Sequence, residues 1–291
     1  MEKQTMNNNG NLANEIQLSL GINHFTELCE IAKKYGTDKY QHGYTKIYNE
    51  LLKDRKSNNV NIFEIGIYLG NSIKMWHDYF ENGKIFGVDN GRLLPNSGVN
   101  ISHINENPNE DDKKLLEGYV VSNFNFSWLE NDRIKCAVAD QRSEEQLESA
   151  MNHFGCKEFD LILDAGQHYQ EHQQKSLGIL FKNVKSGGFY IIEDISDIDD
   201  LLYGNIGYPY PQFWGQKRLD CTDCTFTFYK NYIQTGKIES DYMTEEEKKY
   251  LSDNVDYMFM FDGGVTKIDG TKVESNCFLR EGSKTLVIKK K

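Results

Sequence analysis

Carboxylates follow five successive apolar runs of this chain, and each run is short enough to be a buried strand. The carboxyl ends of parallel strands meet at one edge of a sheet, where open α/β sheets bind their ligands. Five acidic strand ends in succession therefore predict one polar crevice, which holds a polar ligand and offers oxygen ligands to a divalent cation. The residues are Glu64, Asp89, Asp140, Asp164 and the pair Glu193-Asp194.

The first strand end opens a turn that contains two glycines. Glu64 is followed by Gly66 and Gly70, and helical spacing of apolar residues resumes at Ile73. Glycine lets the backbone turn sharply and lets a ligand approach it closely. The dinucleotide fingerprint has a third glycine and binds a pyrophosphate, whereas the carboxylate of Glu64 repels a pyrophosphate and attracts an ammonium group. The turn therefore favours S-adenosylmethionine (SAM) over NAD, with the ribose hydroxyls bound by Asp89 at the end of the second strand.

A histidine and three carboxylates lie at the ends of the fourth and fifth apolar runs. Asp164, Glu193 and Asp194 fall on strands that we expect to be neighbours, and carboxylate oxygens are ligands that Mg²⁺ prefers. His168 comes four residues after Asp164, in the loop over the same sheet edge. A histidine with a pKa near neutrality is suited to take the proton of a hydroxyl group. The pattern predicts a magnesium site beside a general base.

The spacing of the apolar runs predicts an α/β fold with a doubly wound, mostly parallel sheet. Five runs alternate with helices or longer crossovers, and this rhythm builds a parallel sheet with helices on both faces. Two further runs near the C-terminus have no helix between them, which predicts an antiparallel strand pair at the sheet edge. The seven runs are 61–65, 85–89, 134–138, 159–163, 189–192, 256–261 and 284–289.

The chain divides by pattern into two parts. Residues 1–57 are expected to form an N-terminal helical segment, and residues 58–291 the α/β domain. Residues 91–132 are far longer than an ordinary connection between two strands, so they predict an insertion in that domain. The insertion is a lid, a specificity element or an oligomer contact, and the sequence does not choose among these roles.

The N-terminal segment contains a loop with unusually many reactive side chains. Helical spacing predicts one helix from about residue 23 that ends at Gly36, and a second helix around 47–52. The loop between them carries Lys39, His42 and Tyr44. It is either a solvated turn or a flap that closes over the ligand in the central crevice.

The composition limits the classes of partner and compartment. The net charge is −11, which argues against a nucleic acid and against an anionic membrane surface as partners. No apolar run approaches the roughly 18 residues that span a bilayer, and the N-terminus has no secretion signal. The six cysteines are scattered, with only Cys221 and Cys224 close together, so free thiols in a reducing cytoplasm are expected. A homo-oligomer remains open.

Five motifs at the predicted strand ends carry a resemblance to a known family. They are Glu64-Ile-Gly-Ile-Tyr-Leu-Gly-Asn-Ser72, Gly87-Val-Asp89, Asp140-Gln141, Asp164-Ala-Gly-Gln-His168 and Gly187-Gly-Phe-Tyr-Ile-Ile-Glu-Asp194. Together they resemble the class I SAM-dependent methyltransferases. More narrowly, they are similar to the sugar O-methyltransferases of macrolide biosynthesis, of the mycinamicin and demethylmacrocin type. The similarity covers about residues 25–90 and 133–290 and includes the loop 35–44.

The resemblance implies a Rossmann-like methyltransferase fold, SAM as cofactor and a role for each motif. The glycine turn would hold the methionine end of SAM, Asp89 the ribose and Asp140-Gln141 the adenine, while His168 would take the proton of the acceptor hydroxyl. The family's fourth-strand motif usually reads Asp-Asp-Gly-Ser-His, so Ala165 stands in place of a carboxylate and one magnesium ligand would be missing. The implied cofactor-binding residues are Glu64, Gly66, Tyr68, Gly70, Ser72, Asp89, Asp140, Gln141 and Asp164.

The sequence therefore predicts an O-methyltransferase in which His168 activates a hydroxyl group on a sugar or a glycosylated small molecule. Three other classes stay open: N-methylation of an amino sugar or peptide, an NAD-linked oxidoreductase or epimerase, and a non-catalytic protein with the SAM-binding fold. The missing third glycine argues against the NAD-linked enzyme. The presence of His168 and of the strand-end acids argues against loss of catalysis.

Overall fold

A computed structural model of the chain describes residues 25–91, 126–166, 168–195, 224–263, 265–266, 272–273, 279 and 283–291. The α-helices are α1 (Glu27–Tyr35), α2 (Lys39–His42), α3 (Tyr44–Leu52), α4 (Asn71–Tyr79), α5 (Glu144–Phe154), α6 (Gln170–Leu180), α7 (Thr225–Thr235) and α8 (Glu245–Asn254). The strands are β1 (Asn61–Ile65), β2 (Lys84–Asp89), β3 (Ile134–Val138), β4 (Phe159–Asp164), β5 (Val184–Ile192), β6 (Val255–Asp262), β7 (Val265–Thr266), β8 (Lys272–Val273) and β9 (Lys284–Lys290).

One seven-stranded sheet organises the molecule. Its strand order is β3-β2-β1-β4-β5-β9-β6. The first five of these strands are parallel, and β9 runs antiparallel to both β5 and β6. The predicted doubly wound sheet with an antiparallel C-terminal pair is therefore confirmed. The chain order reverses between β1 and β4, which is the position where open α/β sheets bind their ligands.

Helices cover both faces of the sheet, and strand alternation divides the interior into two cores. One core lies on the face packed by α1, α3 and α4, which we call the α4 face; the other lies on the face packed by α5, α6, α7 and α8, which we call the α6 face. Ile62 and Trp76 belong to the first core, and Phe63 and Leu177 to the second. Because successive strand residues point to opposite faces, each strand-end carboxylate is assigned to one face by its register.

Capping residues set the ends of the N-terminal helix. The side-chain oxygen of Thr26 accepts a hydrogen bond from the backbone N–H of Cys29, which satisfies a free donor in the first turn of α1. Gly36 has a left-handed backbone with φ 69° and ends the helix, as its position in the sequence predicts. No helix in the described part of the chain has the length and apolar character needed to cross a membrane.

Strand β5 begins earlier than the sequence indicates. The prediction places a turn at Gly187-Gly188 before the strand, whereas β5 already begins at Val184. Its register with β4 shifts, because Val184 pairs with Phe159 and Phe189 pairs with Leu161. Gly187 has φ +72°, so the glycine pair forms an irregularity inside the strand. The predicted insertion at 91–132 lies mostly outside the described residues.

Candidate active site

The carboxylate of Asp89 shapes the glycine turn after β1. Its Oδ2 accepts hydrogen bonds from the backbone N–H groups of Ile67, at 2.9 Å, and Tyr68, at 3.0 Å. Its Oδ1 accepts a third bond, at 2.7 Å, from the N–H of Gly91. A carboxylate offers about four acceptor positions, so Asp89 can organise this turn and still accept a hydrogen bond from a ligand hydroxyl.

The glycine turn packs directly on the loop that follows β4. Gly66 has φ +93°, and a Cβ atom there would overlap the carbonyl oxygen of Ala165. Gly70, with φ +71°, precedes the first residue of α4. Between them Tyr68 also has a positive φ, 47°, and its side chain is 54% exposed. The turn therefore needs glycine at both ends, and it presents an aromatic ring to solvent beside the sheet edge.

The side chain of Glu64 points into the α4 face. Its side chain is fully buried, and Oε2 accepts hydrogen bonds from Ser72 Oγ at 2.9 Å and Trp76 Nε1 at 3.0 Å. The Nζ atom of Lys39 lies 3.3 Å from Oε1. The sequence predicts that Glu64 pairs with the ammonium group of a ligand and that Ser72 contacts the cofactor. The structure pairs both residues internally, and the ammonium partner of Glu64 is Lys39.

Glu193, at the end of β5, shares the same lysine. Lys39 Nζ lies 2.5 Å from Glu193 Oε2, and the hydroxyl of Tyr48 donates to Oε1. Burial favours the neutral amine of Lys39, but attraction to Glu193 and Glu64 outweighs it and holds the pKa of Lys39 above its usual range. Burial also raises the pKa of Glu193 to about 8, although Lys39 stabilises its charged form. A buried ionic cluster thus joins the N-terminal helices to the ends of β1 and β5.

His168 and Asp194 meet above the ends of β4 and β5. The Nε2 atom of His168 lies 3.6 Å from Asp194 Oδ2, and the two side chains are 28% and 31% exposed. The hydroxyl of Tyr44 donates to Asp194 Oδ1 at 2.8 Å. His168 follows in sequence the loop of Ala165, which contacts the glycine turn at Gly66. A partly exposed imidazole next to a carboxylate can accept a proton from a bound hydroxyl group.

Sequence similarity relates the chain to sugar O-methyltransferases. No family model matches the chain. Mycinamicin VI 2''-O-methyltransferase of Micromonospora griseorubida is 27% identical over 178 residues, which are 58% of this chain and 36% of that protein. Demethylmacrocin O-methyltransferase of Streptomyces fradiae is 28% identical over 178 residues, again 58% of this chain and 36% of that protein. The chain is a distant homologue of these sugar O-methyltransferases.

A solved structure agrees with this relationship. The MycE methyltransferase of the mycinamycin pathway, in complex with Mg, SAH and mycinamycin VI, matches with a TM-score of 0.55 and 21% identity. The match covers 91% of this chain and 54% of MycE, so the chain spans about half of that relative. The fold of this distant homologue is that of a class I methyltransferase, and the predicted resemblance is confirmed.

In this sugar O-methyltransferase homologue, Asp164 lies on the face of the sheet opposite Glu193. Asp164 is fully buried on the α6 face, where Ser176 Oγ donates to its Oδ2 and the N–H of Gly166 donates to Oδ1 at 3.2 Å. Gln141 Nε2 lies 3.3 Å from both carboxylate oxygens. Burial raises the pKa of Asp164 to about 6. The side chains of Asp164 and Gln141, both predicted to bind the cofactor, therefore pair with each other.

The predicted adenine residue Asp140 is engaged by a neighbouring arginine. Arg142 Nη2 donates to Asp140 Oδ2 at 2.6 Å, and Nε donates to Oδ1 at 3.0 Å. Although burial acts in the opposite direction, these hydrogen bonds hold the pKa of Asp140 below its usual value. Burial, with the positive charge of Arg142, lowers the pKa of the nearby His172 to about 4. The segment after β3 thus contains a cation, Arg142, that the sequence motifs do not single out.

The predicted magnesium ligands do not assemble into one site. Asp164 faces α6 while Glu193 faces α4 and is bound by Lys39, and Ala165 supplies no side-chain oxygen. Within the ranges that the structure describes, no group of three or more His, Cys, Asp or Glu side chains is arranged to hold a metal ion. The predicted ligand set Asp164, Glu193 and Asp194 is therefore not assembled: Asp164 lies on the face opposite Glu193, and Asp194, with its left-handed backbone, is turned toward Tyr44.

Proposed function

We propose that this chain is a SAM-dependent O-methyltransferase that acts on a hydroxyl group of a glycosylated small molecule. The observation that carries the proposal is the partly exposed imidazole of His168, which comes three residues after the Ala165 contact with Gly66 and lies 3.6 Å from the carboxylate of Asp194. A proton acceptor beside a cofactor turn is what methyl transfer to a hydroxyl requires. Two relatives are named for O-methylation of mycinamicin VI and demethylmacrocin, and another for O-methylation of a rhamnosyl tetracenomycin, which supports a glycoside as acceptor.

The cofactor would lie across the ends of β1, β2 and β3. SAM supplies an electrophilic methyl group on a sulfonium centre. The backbone of the turn 66–70 lines its methionine end, and Asp89 accepts hydrogen bonds from the ribose hydroxyls. Asp140 and Gln141 border the adenine, with Arg142 holding Asp140 in place. The protein contributes orientation, which brings the acceptor oxygen into line with the methyl group.

The acceptor would lie above the ends of β4 and β5, where His168 removes its proton. Neutral imidazole is the common proton acceptor for a hydroxyl group near neutral pH. The N-terminal segment contributes α2 and α3 to this side, since Lys39 and Tyr44 contact Glu193 and Asp194. We therefore assign the loop between α1 and α3 to the wall of the acceptor site. The proposed reaction assigns no role to magnesium, because the carboxylates of Asp164 and Glu193 lie on opposite faces of the sheet and contact Ser176 and Lys39.

Calorimetry with SAM, S-adenosylhomocysteine and NAD tests the cofactor. Binding of the first two and not of NAD supports the proposal, and the reverse order overturns it. Mass spectrometry of a panel of macrolide glycosides and free sugars then detects transfer of one methyl group. Assays after chelation and after addition of Mg²⁺ measure any dependence on the cation.

Replacement of the histidine tests the base. His168→Ala should leave the affinity for SAM nearly unchanged and lower turnover by about 10²-fold or more, because general base catalysis is lost. His153→Ala is the matched control, since His153 is exposed on α5. Equal turnover of the wild type and His168→Ala would remove the imidazole from this role.

A further inference from the structure

Two carboxylates at the ends of β1 and β5 share one lysine on the α4 face of the sheet. The side chains of Glu64 and Glu193 are both buried. The Nζ atom of Lys39 lies 3.3 Å from Oε1 of Glu64 and 2.5 Å from Oε2 of Glu193. One positive charge therefore lies between the ends of two parallel strands, with a carboxylate oxygen on each side.

The end of β4 lies between these two strands in the sheet and adds no acid to the same face. Asp164 pairs in register with Ile192, and the backbone N–H of Glu193 donates to the carbonyl of Asp164 at 2.9 Å. Ala165 and Glu193, each one residue further on, therefore belong to the same face, and Ala165 packs against the core of the α4 face. A methyl group thus stands at the position from which β4 would supply a third carboxylate.

The carboxylates of Glu193 and Glu64 are already bound by protein donors. Tyr48 donates its hydroxyl hydrogen to Oε1 of Glu193, and Oε2 of Glu64 accepts hydrogen bonds from Ser72 and Trp76 of α4. Mg²⁺ requires nearly octahedral oxygen ligands at about 2 Å and keeps several water molecules. A buried ammonium group between the same two carboxylates excludes this ion by its volume and by repulsion of like charges.

The packing of α2 fixes the position of the Lys39 ammonium group. The ring of Tyr40 contacts the ring of Phe25, with centroids 5.7 Å apart, and Nδ1 of His42 lies 2.8 Å from Oγ of Ser283. The side chain of Lys39 is only 6% exposed. The helix is therefore anchored next to the lysine, so the fold itself holds the ammonium group at the two carboxylates.

We propose that the ammonium group of Lys39 holds the cation position between the ends of β1 and β5, and that methyl transfer by this chain needs no divalent cation. The solved MycE complex contains Mg, so metal independence would distinguish this chain from that relative. The exclusion of metal from Glu193 does not depend on the proposed function, whereas the effect on turnover rests on it.

Metal binding by the wild-type protein is the first test. Mn²⁺ is the probe, because it prefers the same oxygen ligands as Mg²⁺ and its free ion is counted by electron paramagnetic resonance. The protein should leave the signal of free Mn²⁺ unchanged, and EDTA should change neither its stability nor its turnover. Stoichiometric Mn²⁺ binding that Glu193→Gln abolishes overturns the inference, as does turnover that EDTA abolishes and Mg²⁺ restores. Binding that Glu193→Gln leaves unchanged, with turnover insensitive to EDTA, lies elsewhere and agrees with it.

Substitutions separate the ammonium group from the absent carboxylate as the cause. Ala165→Asp alone should still bind no Mn²⁺, because Lys39 remains between the strand ends. Ala165→Asp combined with Lys39→Ala should bind Mn²⁺ at least about 10-fold more tightly than the wild type, because three carboxylates then face one space. Ala165→Asp combined with Lys34→Ala is the matched control, since Lys34 pairs with Asp78 at the surface.

Two results from these variants overturn the role of Lys39. One is Mn²⁺ binding by Ala165→Asp alone, and the other is its absence in the double variant with Lys39→Ala when circular dichroism shows that variant to be folded. If the double variant does not fold, Ala165→Asp alone and the wild-type titration still decide. Absence of SAM binding and of turnover in the wild type, with or without Mg²⁺, instead overturns the proposed function and leaves the Mn²⁺ result in force.

Discussion

The Nζ atom of Lys39 lies 2.5 Å from Oε2 of Glu193, although the two residues are 154 positions apart in the chain. The same ammonium group lies 3.3 Å from Oε1 of Glu64. All three side chains are buried, so the cluster is insulated from water and from salt. It fastens the N-terminal helices to the ends of β1 and β5, at the edge where the candidate site lies.

Removal of this lysine should destabilise the fold strongly. Lys39→Met leaves two buried carboxylates without their cation, and breaking a buried pair in this way typically costs about 3–5 kcal/mol. The loss should show in the free energy of unfolding from urea titration at pH 7. Lys34→Met is the matched control, since Lys34 pairs with Asp78 at the surface and such pairs contribute about 1 kcal/mol or less.

The pH dependence of the free energy of unfolding of Lys39→Met provides a second test of the cluster. Burial already raises the pKa of Glu64 and of Glu193 in the wild type, and loss of the cation raises both further, so the variant loses more stability than the wild type as pH rises. The difference from the wild type should shrink toward pH 5. A cost no larger than that of Lys34→Met at pH 7 would contradict the structural role given to the cluster.

Gly66 should tolerate no side chain, whereas Gly155 should accept one. Both have a positive φ, 93° and 65°, so alanine strains the backbone at each by about 1–2 kcal/mol. Only at Gly66 does the added Cβ overlap a backbone atom, the carbonyl oxygen of Ala165; at Gly155 nothing lies within 4 Å. We expect Gly66→Ala to lose SAM binding by calorimetry and Gly155→Ala to keep it. Equal affinities in the two variants would mean that the contact between the two loops is not needed.

The sequence predicted the sheet and its polar edge because both follow from local patterns. Short apolar runs that end in a carboxylate can be recognised without knowledge of distant contacts. The end of α1 at Gly36 follows from the conformational freedom of a single glycine. The face of the sheet to which each strand-end carboxylate points could also be predicted from the sequence. Asp164 pairs in register with Ile192, so Glu193, one residue further on, must point to the opposite face.

Other parts of the site could not be predicted from local patterns. The pairing of Lys39 with Glu193 joins residues 154 positions apart in the chain, and no periodicity in the sequence predicts it. No sequence pattern predicts the left-handed backbone of Asp194 either, because aspartate adopts that conformation only where the surroundings require it. The pairing of Glu64 with Lys39 depends on how closely α2, which carries Lys39, approaches the sheet edge. These features belong to tertiary packing, which decides whether a strand-end acid meets a ligand or another side chain.

The buried carboxyl of Asp164 should give the protein a measurable pH dependence. Burial raises its pKa from 3.8 to about 6, so the folded state holds this proton after the unfolded chain has lost it. A raised pKa contributes stability that is present in full below about pH 4 and is lost as pH rises to about 6. A shift of this size corresponds to about 3 kcal/mol.

Comparison with Asp164→Asn isolates the effect from the other titrating groups. Asparagine keeps the shape and can still accept from Ser176, but it does not titrate. The difference in the free energy of unfolding between wild type and variant should fall by about 3 kcal/mol between pH 4 and pH 7. Urea titrations across this range measure it. A difference that stays constant with pH would show that Asp164 does not hold a proton in the folded state.

Tyr68 allows the ring and the backbone of the glycine turn to be tested separately. Its φ of 47° is strained for tyrosine, and its side chain is 54% exposed. Tyr68→Gly relieves the strain and removes the ring, whereas Tyr68→Ala removes the ring and keeps the strain. If the ring contacts the cofactor, as the family resemblance implies, both variants should weaken SAM binding by a similar factor. The glycine variant should nevertheless be more stable than the alanine variant by about 1 kcal/mol in urea titration. Wild-type affinity in Tyr68→Gly with weaker binding in Tyr68→Ala would assign the effect to the backbone and remove the ring of Tyr68 from the cofactor site.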